Sequence, residues 1–272
     1  MPGTLDGKIA LIVGIANHRS IAWGIAQAMH HAGARLVLSY QGERVSRDVI
    51  SLAGELPGTL TTQMDVTNQA EVDALFAMIE REMGGLDTLV HSIAFAPRET
   101  LGGRFSDVTQ EAFATTMNIS AFSLQTLARG ARPLMLARGG GSVTTLTYIG
   151  GERVIPNYHL IGVAKMALHG IVLQLANDLG PEGIRVNEIS SGPVLTLSAR
   201  AIRDFNAMRQ GARNSSPMRQ DVDPVRDLGG TAVFLASDAS SMITGQTIYV
   251  DGGFHILGST ISSDQAGGAA PA

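Results

Sequence analysis

The strongest constraint on this chain is a rhythm. Apolar, β-rich runs of four to eight residues alternate with longer stretches whose apolar residues recur at helical period. Residues 8–13, 35–39, 60–64, 88–92, 142–147, 185–189 and 247–250 read as strands. Helical period marks 20–32, a segment between the second and third strands, 69–83, 110–137, 157–179 and 224–236, and Gly33 is placed to stop the first of these. Strands joined through helices lie parallel in one sheet covered on both faces, so the expected fold is a doubly wound α/β domain of about seven strands. Neither a linker nor a fixed-period repeat interrupts residues 1–261, which read as one domain. Residues 193–220 break the alternation and read as an irregular lid; residues 262–272, rich in Gly and Ala, read as a frayed tail.

Composition limits the functions open to such a fold. The net charge of −4 supplies no global field for nucleic acid or an anionic membrane. No cysteine is present, which removes disulfides, thiolate catalysis and cysteine metal sites together. The seven histidines show no metal-ligand spacing. Charged residues, at 16%, fall below the roughly 25% usual for soluble domains, which fits either surface hidden in an oligomer or an Ala-rich bias. The N-terminus lacks a signal-peptide pattern, and no uninterrupted apolar run reaches the roughly 20 residues of a membrane span, so a cytoplasmic enzyme is expected.

In a doubly wound sheet, ligands bind beyond the carboxyl ends of the strands. After the first strand, Gly14, Ala16, Ser20, Ile21 and Gly24 keep the turn small, so that backbone and a helix start can approach a pyrophosphate. The spacing departs from G-x-G-x-x-G, and alone it fits a plain glycine turn equally well. After the second strand, Gln41 can hydrogen-bond a ribose and Glu43 would repel a 2′-phosphate, although Arg44 could reach one; NADH is favoured over NADPH. After the third, Asp65 and Val66 suit an adenine edge, with a helix N-cap as the other reading of Asp65. After the fourth, Ser92, Ile93 and Ala94 stay small where a cofactor would cross the sheet.

Tyr158 and Lys165 stand seven residues apart, about two helical turns, on one face of the expected helix. A phenol donates a proton poorly at neutral pH, and a neighbouring ammonium would favour its ionisation. Lys165 can also hold ribose hydroxyls. Y-x6-K arises by chance in many helices; behind a strand, with Tyr148 ten residues upstream, it is far more specific.

These residues resemble the enoyl-[acyl-carrier-protein] reductase branch of the short-chain dehydrogenase/reductase family, from about Leu5 to Gly258. Gly14 through Gly24, Tyr40-Gln41, Asp65-Val66, His91 through Pro97, Tyr148 through Lys165, Gly180 through Asn187, Gly192-Pro193-x2-Thr196 and Val250 through Phe254 carry the likeness. Thr145 stands where carbonyl-reducing members of the family use Ser, and Tyr148-x9-Tyr158-x6-Lys165 marks the enoyl branch.

The resemblance implies a Rossmann-type fold, NADH as reductant, an enoyl thioester on acyl carrier protein as substrate, a role in fatty-acid biosynthesis, and a homotetramer. It implies that Tyr158 hydrogen-bonds the developing enolate and that Lys165 binds the nicotinamide ribose. Tyr148, the third catalytic residue, would shape the acyl pocket and assist protonation, Ala96 would touch substrate, and Val194 and Thr196 would flank the cofactor. Leu195 replaces a frequent basic residue and Ala94 a frequent Gly. Rivals are a carbonyl reductase acting on 3-oxoacyl thioesters and a non-catalytic dinucleotide-binding regulator. Within the lid, Arg200, Arg203, Arg209, Arg213 and Arg219 against Asp204 suggest a basic face for an acidic carrier protein, and Leu195, Leu197, Ile202, Phe205 and Met208 a cover for the acyl chain.

Overall fold

The structure, a computed structural model, describes residues 3–197, 199, 202 and 204–258. Seven parallel strands form one sheet: β1 (Ile9–Val13), β2 (Arg35–Tyr40), β3 (Leu60–Gln63), β4 (Thr88–His91), β5 (Gly141–Thr147), β6 (Ile184–Ser191) and β7 (Thr247–Val250). Their order is β3-β2-β1-β4-β5-β6-β7, so the winding changes direction between β1 and β4. The doubly wound expectation is met, strand for strand, with boundaries shifted by a residue or two.

Both faces of the sheet are covered, which is why the central strands are apolar on successive residues rather than alternating. Ile9, Leu11 and Val13 of β1 join a core built with α3 (Gln69–Met83), α5 (Ser123–Leu136) and α6 (His159–Leu179). Ala10 and Ile12 join the opposite core, with α1 (Ile21–His31), α2 (Glu43–Gly54) and α8 (Gly230–Ala236).

Three expectations are corrected. The helix foreseen over 110–137 is two helices, α4 (Gln110–Met117) and α5, joined by a π-helical segment, Asn118–Phe122. A second π-helical segment, Pro224–Gly229, precedes α8. The supposedly irregular lid contains an eleven-residue helix, α7 (Phe205–Ser215). Its helical period was masked by Gly211, Ser215, Ser216 and Pro217 in and beside it and by arginines among its polar residues. Residues 259–272, and with them the expected tail, lie outside the described residues, as do Arg200 and Arg203.

α6 extended to Glu182 is long and apolar enough to cross a membrane by length and composition alone. One face, with Leu168, Val172, Ala176 and Leu179, is core. Lys165 is buried on the same helix, close over the sheet.

Candidate active site

The turn after β1 is pressed against the segment after β4. Gly14 has φ of 99°, and a Cβ there would lie 2.1 Å from the Ser92 carbonyl oxygen, so only glycine fits. Ser20 Oγ accepts hydrogen bonds from the amides of Ala16 (3.0 Å) and Asn17 (3.1 Å). Occupied in this way, Ser20 does not cap α1, and the first-turn amides beside Ile21 have no side-chain partner. An uncapped helix start above a small-residue turn is suited to an anion. A pyrophosphate therefore fits this cradle.

Gln41 and Asp65 come together: Gln41 Nε2 donates to Asp65 Oδ2 at 3.1 Å. The other Asp65 oxygen accepts from the Thr67 amide (2.8 Å) and hydroxyl (2.7 Å). Burial pushes the Asp65 carboxyl up, but these bonds outweigh it and hold the group below its usual range. The N-cap of α3 is Asn68, whose side chain accepts from the Ala70 amide. Asp65 is thus a turn-fixing anion beside Gln41, and Val66 and Ile93 pack on the core behind them.

Tyr158 and Tyr148 meet edge to face, ring centroids 5.1 Å apart at 74°. Tyr158 is the N-cap of α6 rather than a residue within it, a correction to the expected helix start. Asn157 and His159 on either side have φ of 63° and 36°. Left-handed backbone at non-glycine residues is costly and tends to gather at functional positions. Gly150 makes room for the ring pair: a Cβ there would lie 2.5 Å from Tyr158 and 3.0 Å from Tyr148.

Lys165 Nζ donates to the Leu146 carbonyl at 2.6 Å. Burial pushes its pKa down to about 8, with Glu188 acting in the opposite direction. Burial, and then Tyr148, push the Tyr158 phenol upward. Burial and then Asp251 push Tyr148 up to about 12. The expectation that Lys165 draws the Tyr158 proton off is therefore reversed, because desolvation of the phenolate dominates. Tyr158 stays a neutral hydrogen-bond donor at physiological pH.

Under Lys165 a row of polar residues crosses four strands in register: His91 pairs with Thr145, Thr145 with Glu188, and Glu188 with Thr247. All lie on the face that packs α5 and α6, because Leu89, Val143 and Val186, two residues before the first three, belong to that core. His91 is fully buried and, first through burial and then through Lys165, its pKa falls to about 3. Ser123 Oγ donates to the Ile119 carbonyl, so His91 Nε2–H donates to Ser123 Oγ (2.8 Å); Nδ1 lies 2.8 Å from Thr145 Oγ1, whose hydroxyl also reaches the His91 carbonyl at 3.2 Å. Glu188 Oε1 accepts from His169 Nδ1 (2.7 Å) and Thr247 Oγ1 (2.6 Å). Neither Glu188 nor His169 was anticipated as part of the site. A lone acid in the apolar run of β6 was the signal available.

The lid residues divide. Val194 and Thr196 lie half-buried beyond β6, and Thr196 Oγ1 accepts from the Ala199 amide at 3.1 Å. Ala96 is half-buried after Phe95, whose amide and carbonyl are both bonded to Ser120 Oγ. Phe205 is buried and Leu197 exposed. The Tyr148 hydroxyl meets Met208 Sδ of α7 at 3.9 Å. Arg209 and Arg213 approach the Asp221 carboxylate at 3.7 and 3.6 Å, so an acid just beyond the lid offsets part of its expected basic face.

Fold, switch point and the Tyr148–Tyr158–Lys165 group define a dinucleotide-dependent reductase architecture. The family description enoyl-(acyl carrier protein) reductase matches residues 14–255. The chain is 48% identical over 256 residues to the Bacillus cereus enoyl-[acyl-carrier-protein] reductase [NADH] FabI, covering 93% of this chain and 99% of that one. It is 49% identical over 257 residues to the Synechocystis FabI of the same name, covering 93% and 98%. The B. cereus crystal structure with NADP+ and an indole naphthyridinone superposes with a TM-score of 0.92 at 47% identity, covering 94% of this chain and all of that one. The chain belongs to the enoyl-(acyl carrier protein) reductase family.

Proposed function

We propose that this protein is an NADH-dependent enoyl-[acyl-carrier-protein] reductase of fatty-acid biosynthesis, reducing the C2–C3 double bond of trans-2-enoyl thioesters. The observation that carries the reading is the Tyr148–Tyr158 edge-to-face pair beside buried Lys165, at the carboxyl edge of the sheet.

When bound, NADH supplies a hydride to C3 of the substrate. Tyr158, neutral because its phenol is buried, donates a hydrogen bond to the thioester oxygen as enolate charge develops there, where preorganised donors act most strongly, and the enolate then takes up a proton from solvent at C2 to complete the saturated thioester. Lys165 holds the ribose hydroxyls. Gly14, Ala16, Ser20 and Ile21 receive the pyrophosphate, Gln41 the adenosine ribose, Asp65 and Val66 the adenine, and Ser92, Ile93, Val194 and Thr196 flank the nicotinamide half. Tyr148 and Ala96 line the acyl pocket, with α7 and residues 193–220 as its cover.

The carbonyl-reducing alternative fits poorly. It needs a hydroxyl at position 145 free to bind substrate, whereas Thr145 is fully buried and committed to His91. Phe113 of α4, Phe122 of the π-helical segment, Leu136 of α5, and Met166 and Leu173 of α6 are each more than two-fifths exposed. Exposed apolar side chains in this number support self-association, and we assign the protein as a cytoplasmic homotetramer.

The test follows nicotinamide absorbance with a crotonyl thioester, with NADH and NADPH in parallel, for wild type and Tyr158→Phe. Rapid oxidation of NADH by wild type, lost roughly a hundredfold or more in the variant, is expected. Turnover of a 3-oxoacyl thioester in place of the enoyl one would overturn the reading.

A further inference from the structure

Glu188 has no task in the reaction as set out above, yet it is one of the most enclosed charges in the molecule, with 2% of its surface exposed. Its Oε1 takes two hydrogen bonds, from His169 and Thr247, while Oε2 is buried with no hydrogen-bond partner among the described residues. A carboxylate in this state is expensive unless a cation is near. His169 follows Lys165 by four residues on α6, so the two lie one turn apart on the same face. Since Glu188 bonds His169 directly, its carboxylate lies about one helical turn from the Lys165 stem.

We propose that Glu188 is a positioning residue: its buried carboxylate keeps Lys165 an ammonium ion while Lys165 grips the nicotinamide ribose. The proposal rests on that role for Lys165. Lys165 needs such a counter-charge because its hydrogen-bond acceptor among the described residues, the Leu146 carbonyl, is neutral and its surroundings are dry. The charges and titratable groups acting on the pair come from every packed element. They are neutral His91 from β4, Glu188 from β6, His169 from α6 with Tyr158 at its N-cap, Tyr148 and Glu152 after β5, Tyr249 from β7 and Asp251 just after it. Among the acids, Glu188 is the one whose charge acts on Lys165 itself, whereas Asp251 acts on Tyr148 and Tyr249, and Glu152 on Tyr249.

The chain has two lysines, Lys8 and Lys165, so a protein labelled with 13C at lysine Cε gives two signals, and Lys165→Arg assigns them. The Lys165 midpoint in wild type is expected near 8. In Glu188→Gln it falls by about one pH unit, and Glu188→Asp largely restores it. Affinity for NADH, read by fluorescence, then weakens several-fold at pH 8 in Glu188→Gln and stays near wild type at pH 6. Loss of packing alone would instead weaken binding equally at both pH values. If Glu188→Gln does not fold, Glu188→Ala removes the charge without leaving an unpaired amide. Superimposable Lys165 titrations in wild type and the neutral variants would overturn the proposal. A shifted midpoint with unchanged NADH affinity overturns the ribose role of Lys165 on which it rests.

Discussion

The Tyr148 hydroxyl lies 3.9 Å from the sulfur of Met208, linking the end of β5 to helix α7. One partner touches the Tyr158 ring; the other belongs to the segment proposed as the cover of the acyl chain. Tyr148→Phe keeps the ring pair and removes this link, whereas Met208→Ala removes a wall. Sulfur contacts are worth about 0.3–1.5 kcal/mol, so each change should raise KM for a medium-chain enoyl thioester roughly two- to tenfold. kcat should move less. Steady-state kinetics across chain lengths check this, and a kcat effect larger than the KM effect would place Tyr148 in the chemistry instead.

Gly150 lies against both tyrosine rings, and a methyl group there has no space. Gly150→Ala should force the Tyr158 ring aside, and small displacements of a reacting group cost about a hundredfold in rate. The residue has no left-handed requirement, so the protein should still fold, with Tm lowered by only a few degrees. Parallel circular dichroism melts and turnover separate the two effects. Near-normal turnover would show that the ring position is not critical.

pH should act on activity and stability in opposite directions. Above about 8 the folded protein loses the Lys165 proton, and NADH binding should weaken. The unfolded lysine keeps its proton until about 10.4, so between pH 8 and 10 the unfolded state binds more protons and this site's contribution to stability rises. Above 10 the sign changes, because unfolded tyrosines ionise before Tyr148, held at about 12. Urea midpoints for wild type and Lys165→Met over this range test the argument; identical slopes in the two proteins would refute it.

Asp221 anchors α7 through Arg209 and Arg213. These groups are partly exposed, and such pairs are worth up to about 1 kcal/mol, so Asp221→Asn should leave global Tm nearly unchanged. It should still loosen the helix, seen as faster proteolysis within 205–215 and a KM increase of roughly two- to fivefold. Unchanged cleavage would show that Phe205 and Ala212, both buried, suffice to hold α7.

Much of this was legible in the chain itself. The sheet could be read because its central strands are covered on both faces and so stay apolar residue after residue; β1, buried throughout, is the clearest case. Gly14, Tyr158 and Lys165 could be read because each depends on a residue type with few substitutes. The sign of the Tyr158 shift was not legible, since it depends on how dry its surroundings are rather than on spacing to Lys165. Glu188 was hidden for a related reason: its significance comes from lying in register between Thr145 and Thr247 on strands far apart in sequence. Helix α7 escaped notice because its helical spacing, Phe205, Met208 and Ala212, spans only about two turns and is interrupted by Gly211.

Among the described residues, four non-glycine positions have left-handed backbone: Asn157 and His159 around Tyr158, Asp204 before α7 and Arg219 after it. The first pair grips a side chain set deep in the core; the second brackets a helix fastened mostly at its surface. On the proposed reading, a ligand of unusual length or girth therefore meets one unyielding boundary and one adjustable boundary. Substrate range can drift in descendants of this chain through changes between 204 and 219, while the chemistry performed on each substrate stays the same.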